Sequence, residues 1–174
     1  MVAKNVEELK KVIRYQETDL GRKPKVVLGT GTFDLFHFDH LKYLQGAKKH
    51  GDILVVAVKC NEAARLKGEG RPIIDEKYRV EIVDNIKCVD YSIIAHYNSE
   101  TKLEVEADNQ EQMEWLYNFQ ELLKELRPDI LYYEKKVALQ TARERIFERY
   151  GITGVSKPRG TNASTTEIIE KIKK

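Results

Sequence analysis

Gly51-Asp52-Ile53-Leu54-Val55-Val56-Ala57-Val58 is the most apolar stretch of the chain, and its reading decides the fold. A strand with one wet face alternates apolar and polar residues; this one is apolar at every position from 53 to 58, so both faces are buried. A strand buried on both faces belongs in a parallel sheet layered between helices. Upstream, Lys25 to Thr30 reads as a first strand, and His40 to His50 as a helix with Leu41, Leu44 and Ala47 on repeating faces. Further upstream, residues 5–16 place Val6, Leu9, Val12 and Ile13 at helical spacing behind a capping Asn5. Downstream, a helix is expected from near Asp75 to about Ile86 and a strand from Val89 to Ala95. Residues 96–110 are polar and irregular. A helix from about Glu111 to Leu126 stops at Arg127-Pro128, and a strand follows over Asp129 to Tyr133. A helix from Ala138 to Tyr150 ends at Gly151, a short strand spans Gly154 to Lys157, and a last helix starts at Ser164 or Thr165. Strands alternating with helices in this way predict a doubly wound α/β domain of about five strands with helices on both faces.

The totals set the bounds. A chain of 174 residues with formal net charge +2 is one domain's worth, and its charge balance argues against nucleic-acid binding over a broad basic surface. A small anionic ligand needs only a local positive pocket. No apolar run approaches the ~20 residues of a membrane span, and the charged, amphipathic start has no signal-peptide core. A cytoplasmic location is the expectation. Cys60 and Cys88 have no partners at zinc-like spacing and read as two buried thiols.

In open parallel sheets the ligand sits beyond the carboxyl ends of the strands. The first strand ends there in Gly29-Thr-Gly-Thr-Phe-Asp-Leu-Phe-His-Phe-Asp-His40. Its glycines let backbone approach a ligand, and the following helix offers unpaired N–H groups to phosphate oxygens. His37 and His40, three apart at that mouth, can donate hydrogen bonds to charge developing on a phosphorus centre. Read alone, they are equally a metal site or a pair of capping histidines. A dinucleotide-dependent dehydrogenase is excluded: Gly29-x-Gly31 lacks the third glycine, and no acidic residue ends the second strand.

Gly31-Thr-Phe-Asp-Leu-Phe-His-Phe-Asp-His-Leu-Lys-Tyr-Leu44 resembles the signature of the cytidylyltransferase-like nucleotidyltransferases, whose HxGH motif cradles a triphosphate. Three further blocks agree in order: Gly51 to Val58; Arg65-Leu-Lys-Gly-Glu-Gly-Arg-Pro-Ile73 with Tyr78-Arg79 and Val89-Asp90; and Arg159-Gly-Thr-Asn-Ala-Ser-Thr-Thr-Glu-Ile-Ile169, which resembles a closing RTxGxSTTxI block. The resemblance covers about residues 5–95 and 126–172. It implies a Rossmann-like sheet and, over residues 1–174, a single nucleotidyltransferase domain with a helical insertion at about 96–126. It also implies that His37 and His40 polarise the phosphates, that Lys42 and Lys67 supply positive charge, and that Arg159 reaches the triphosphate or the acceptor. Gly31, Thr32, Phe33 and Asp39 would line the nucleotide, and Ser164, Thr165 and Thr166 would hold a phosphate at a helix start. For Ser164 a plain N-cap completed by Glu167 is the parallel reading. For Lys42 it is a solvated helix face. Asp34 and Arg79 are expected to orient the loop and helix. The implied reaction is attack by an acceptor phosphate on the α-phosphorus of CTP or ATP, with Mg²⁺ as cofactor and a homodimer as the assembly. The acceptor would be a small phosphorylated molecule. Some blocks look like the adenylyltransferase domain of ADP-heptose synthases and others like glycerol-3-phosphate cytidylyltransferases.

Two departures stand out. Asp39 occupies the motif's glycine position. A carboxylate facing a phosphate charge at 4 Å would meet about 4 kcal/mol of repulsion at an effective dielectric of 20. Asp39 would therefore turn outward, ligate Mg²⁺ or pair with a lysine, or else the chain is a catalytically weak nucleotide-binding homologue, a sensor or scaffold. The second departure is the stretch from His96 to Leu126, which leads into Tyr132-Tyr133-Glu134-Lys135 where relatives often carry a glycine- and aspartate-bearing loop. Met113, Trp115, Leu116, Phe119 and Leu122–Leu123 share one helix face, read as core or subunit contact in preference to a ligand lid.

Overall fold

Strand β2 (Ile53–Lys59) is flanked on both sides in the computed structural model, which describes residues 1–158, 160 and 164–172, the side chain of Val137 excepted. Its neighbours are β1 (Val26–Gly31) and β3 (Tyr91–Ala95); β4 (Ile130–Glu134) and β5 (Thr153–Lys157) extend the sheet beyond β1. All pairings are parallel, in the order β3-β2-β1-β4-β5. Strand order therefore reverses at β1, with Gly29 facing Val56 on one side and Tyr132 on the other. The fold is the Rossmann-like α/β arrangement that the apolar run requires.

Each face of β2 is buried by different helices. Ile53, Val55 and Ala57 join the core beneath α1 (Val6–Leu20), α5 (Gln110–Leu126) and α6 (Gln140–Tyr150). Leu54, Val56 and Val58 pack on the opposite face under α2 (Phe38–Lys48) and α4 (Glu76–Asp84), against Tyr43, Leu44, Ala47, Val80 and Val83. Shorter elements among the described residues are α3 (Asn61–Arg65), for which the sequence pattern gives no sign, a 3₁₀ turn over Val137–Leu139, and α7 (Thr165–Ile172). Aromatic and leucine side chains of α5 fill the first core: Trp115, Leu116, Phe119, Leu122, Leu123 and Leu126 are buried there. The helix after the polar stretch is thus structural core, packed on α1 and α6.

Boundaries shifted where side chains cap. Asn5 accepts the Glu8 N–H at 2.9 Å, and α1 runs on to Leu20 before Gly21 adopts the left-handed conformation at φ +64. Asp75 caps α4 through the Lys77 N–H. β3 begins two residues later than its apolar pattern suggests, because the Asp90 carboxylate is engaged with the Leu54 N–H at 2.6 Å and the Lys48 ammonium at 2.5 Å. Cys60 is buried, but Cys88 is only half-buried, so the expectation of two buried thiols holds for one; both are free. Among the described residues no helix is long and apolar enough to cross a membrane.

Candidate functional site

At the point where strand order reverses, the β1–α2 loop leaves the sheet in an unusual backbone. Phe33 and Leu35 have φ of +54° and +44°, a left-handed conformation that costs a residue with a Cβ about 1–2 kcal/mol. Three buried contacts hold it. The Phe33 ring, 2% exposed, folds back over β1, where a Cβ on Gly31 would lie 2.8 Å from it. Gly31 therefore makes room for Phe33, not for a ligand, and Phe33 presents no free face for stacking. The Asp34 carboxylate accepts the Ile73 and Ile74 N–H groups, both at 3.0 Å, and pairs with Arg71 at 3.3 Å. Arg79, 0% exposed, donates to the Thr32 carbonyl at 2.5 Å, to the carbonyls of Lys59 and Ile74 at 2.8 Å, and to Asn61 Oδ1 at 2.9 Å. One guanidinium thereby ties the ends of β1 and β2 to the start of α4.

The two histidines meet where this loop enters α2. His37 is the residue before the helix, and its N–H donates to His40 Nδ1 at 3.4 Å. The rings stack, centroids 3.8 Å apart and planes 24° from parallel. The capping alternative is therefore part of the geometry, and it has a chemical result: Nδ1 of His40 is the acceptor, so Nε2 carries the proton of the neutral ring. Burial first, then the charges of His37 and Lys67, lower the His40 pKa to about 3. Burial also lowers that of His37, against the opposing pull of Asp39, Glu134 and Glu167. Two neutral imidazoles thus sit ready to donate. His37 Nδ1 and Thr32 Oγ1 are both buried without a hydrogen-bond partner, and such groups are uncommon enough to need an explanation.

The closing block arrives from the other end of the chain. Thr165 Oγ1 donates to the Asp34 carbonyl at 2.8 Å, and Arg71 donates to Thr166 Oγ1 at 3.2 Å. Ser164 Oγ accepts the Glu167 N–H at 3.2 Å, one half of the expected capping box. The hydroxyls of this block thus fix the start of α7 against the strained loop. Lys67 keeps access to solvent, while burial and the charges of Arg71 and Lys136 lower its pKa. Lys42, by contrast, is exposed on α2 with its ammonium 5.1 Å from the centre of the exposed Phe38 ring. The structure does not bring it to the loop. Arg159 lies outside the described residues.

Asp39 does not turn outward. It is 6% exposed and packs against Gly160, where a Cβ would lie 2.5 Å from Oδ2, 2.6 Å from Cγ and 3.0 Å from Cβ of Asp39. The glycine missing at 39 is matched by one at 160, which lies against the first turn of α2. The carboxylate also acts on both imidazoles, opposing the loss of their basicity. As for metal, no group of three or more His, Cys, Asp or Glu among the described residues could hold an ion. These residues do not fit a protein-built Mg²⁺ cage.

Sequence reasoning missed Arg71, the latch between Asp34 and Thr166, and Lys59, half-buried at the end of β2. Both lie in or next to blocks that drew attention for other residues, and only the fold shows where they point.

A family model described as cytidylyltransferase-like matches residues 28–171. The bifunctional protein HldE of Geobacter metallireducens is 44% identical over 92 residues, covering 52% of this chain and 18% of that protein. HldE of Helicobacter pylori strain G27 is 34% identical over 165 residues, covering 91% of this chain and 30% of its own length. The chain therefore spans under a third of these curated relatives. Among solved structures, a lipopolysaccharide core biosynthesis protein from Thermoplasma volcanium superposes with TM-score 0.58 at 28% identity, over 80% of this chain and 99% of that one. A pantoate-beta-alanine ligase from Francisella tularensis reaches TM-score 0.70 at 15% identity, over 99% of this chain and 77% of that one, a likeness of fold alone.

Proposed function

We propose, from the premise that this chain belongs to the cytidylyltransferase-like family, that it transfers a nucleoside monophosphate from CTP or ATP to a phosphorylated sugar, polyol or alcohol and releases pyrophosphate. The observation that carries the reading is the neutral, stacked His37–His40 pair in a strained loop, with His37 Nδ1 and Thr32 Oγ1 buried and unpartnered beside it. Such a loop stores strain that a ligand's hydrogen bonds can repay.

The chemistry is a single in-line displacement. A phosphate oxygen of the acceptor forms a bond to the α-phosphorus as the bond to the pyrophosphate oxygen breaks, and the leaving electron pair departs with pyrophosphate. Nε2–H of His40 donates to the oxygens on which charge builds, and a neutral donor held in place needs no reorganisation at the moment of reaction. His37 contributes from its own ring. Lys67 supplies fixed positive charge, and the start of α7 is latched beside the histidine loop through Asp34 and Arg71. No covalent intermediate is required; the protein positions and neutralises. Mg²⁺ is expected in this family, where it would neutralise charge on the triphosphate.

The test is calorimetric titration with CTP and with ATP, followed by a pyrophosphate-release assay against a panel of phosphorylated sugars and polyols. Binding of one nucleotide with release supports the reading. Binding without release from any acceptor favours the weak-homologue alternative, and binding of neither nucleotide removes the proposal.

A further inference from the structure

The carboxyl end of β3 borders a cavity that no residue of the histidine loop lines. β3 is the edge strand, two places from β1 in the sheet. The cavity, about 320 Å³, lies between the start of α1, the end of β3 with the loop after it, and one face of α5. Much of its lining falls in residues 96–126, the stretch in which the chain departs from the family's pattern. Three buried amide side chains stand on α5. Gln112 Oε1 accepts the Asp108 N–H at 2.9 Å, and its Nε2 donates to the Ala138 carbonyl at 2.9 Å. Gln120 Oε1 accepts the Glu104 N–H at 2.7 Å, and its Nε2 donates to the Lys102 carbonyl at 2.9 Å. Both amides tie neighbouring chain to the helix. Asn118 does not: it is 3% exposed, and its Oδ1 and Nδ2 are both buried without a hydrogen-bond partner.

A buried amide in that state costs stability that two partners would return. Asn118 shares its helix face with Tyr117, Glu121, Leu122 and Glu125, all of which line the cavity, and it is the buried polar residue of that face. Its amide is covered at the cavity floor, but χ2 of asparagine is a broad, soft torsion, so a small turn presents both atoms to a ligand. The rest of the lining defines that ligand. Val6, Ile93 and Leu122 are apolar walls, and the half-buried Tyr117 stands edge-on to Tyr97 with ring centres 6.0 Å apart. Glu121 and Glu125 are exposed at the rim against one ammonium, that of Lys4, so an anion gains nothing there. A mostly apolar cavity with one polar group fixes a small molecule's orientation through that group. A carboxamide sets a donor beside an acceptor in one plane, and its complement is another such pair.

We propose that this cavity is a second ligand site, separate from the histidine loop, for an uncharged flat molecule whose edge carries an adjacent donor and acceptor. Aromatic carboxamides and nucleobases share that chemistry. Asn118 reads the edge, and the apolar walls take the ring. The inference does not depend on the nucleotidyltransferase reading.

The experiment follows residue-resolved amide NMR spectra of the protein titrated with nicotinamide, with cytosine and with nicotinate. Nicotinamide or cytosine should saturably shift the side-chain NH₂ pair of Asn118 and the backbone amides of Ile93 and Tyr117. Binding of the first alone marks a carboxamide site, and of the second alone a base site. Nicotinate is the same ring with a carboxylate in place of the amide. It offers no donor to Oδ1 and should bind about tenfold or more weakly than nicotinamide. Asn118→Leu should weaken the uncharged probe about tenfold or more and leave nucleotide affinity within about twofold. Thermal melting checks that the variant is folded; if it is not, Asn118→Ala takes its place. Absence of a saturable shift from both uncharged probes would leave the Asn118 amide to ordered water and end the proposal. Equal affinity in Asn118→Leu, or nicotinate binding as well as nicotinamide, would end it too. Shifts confined to the histidine loop would place the probe in the proposed nucleotide site and count equally against it.

Discussion

Replacing Gly160 by alanine tests whether Asp39 and the closing segment form one interlocked contact. The new Cβ would lie 2.5 Å from Asp39 Oδ2, 2.6 Å from Cγ and 3.0 Å from Cβ, against a comfortable separation of about 3.5–4.0 Å between carbons. Rotation about χ1 can remove the carboxylate from this clash, but not Cβ, which is fixed to the first turn of α2. Either that turn or the closing segment must therefore shift. Overpacking of this kind costs about 1–3 kcal/mol. If the strain is relieved locally, at the contact between Gly160 and the first turn of α2, the same ~1–3 kcal/mol taken from the nucleotide-binding geometry of the proposed site is a fall of about 5- to 150-fold in affinity. If the whole fold bears it, Tm falls by about 2–12 °C for a chain of this size. The assay is a double-mutant cycle with Asp39→Gly, read by calorimetry and thermal melting. Asp39→Gly removes all three clashing atoms, so Gly160→Ala should be nearly silent in that background, with a coupling energy of about 1–3 kcal/mol. Equal effects of Gly160→Ala in both backgrounds, or no effect in either, would refute the interlock.

Other expectations follow from the same geometry. His40→Gln should lower turnover about 10²–10³-fold while the melting temperature at pH 7 stays close to wild type, as measured by pyrophosphate release. Because the folded protein holds the His40 pKa near 3 against 6.5 in the unfolded chain, the unfolded state binds more protons between those values. Stability should therefore be complete above about pH 6.5 and decline as pH falls towards 3; denaturant titrations at pH 7 and pH 5 should show a smaller decline in His40→Gln. Arg79→Met leaves the carbonyls of Thr32, Lys59 and Ile74 without their shared donor and should cost about 3–5 kcal/mol in urea unfolding; a loss under 1 kcal/mol would contradict the anchoring role. Leu116→Ala, fully buried beneath the sheet, should cost about 2–5 kcal/mol with no change in nucleotide affinity.

The sheet was legible because the run from Ile53 to Val58 has no polar residue, and only burial on both faces allows that. Helix ends were less so: Asp90 reads as part of a strand until its carboxylate is seen holding the Leu54 N–H. At the candidate site, the ordered blocks converge: the fold brings His37, His40, Thr165 and Thr166 to one loop, with Lys67 near enough to act on His40. It does not bring Lys42 there, because a position two residues past His40 on a helix faces away from it. Gly31 shows the same difficulty. A glycine beside a ligand loop signals close approach, but the sequence cannot say that the approaching group is the chain's own Phe33. Pairing between Asp39 and Gly160 was equally hidden, since nothing in either local pattern refers to the other.

The latch between Thr165 and Asp34 joins positions 131 apart, while β1 pairs with β2 early and with β4 only after position 130. At the usual rate of synthesis, about 5–20 residues per second, some 7–26 s separate the emergence of the histidine loop from that of the helix that braces it. During that interval Asp34 and Arg79 can already hold the loop from the side of residues 71–79, but its brace from α7 is missing. A ribosome-stalled chain ending before Thr165 should therefore carry the five-stranded sheet without the α7 latch, and on the proposed function should bind nucleotide more weakly than the chain that includes it.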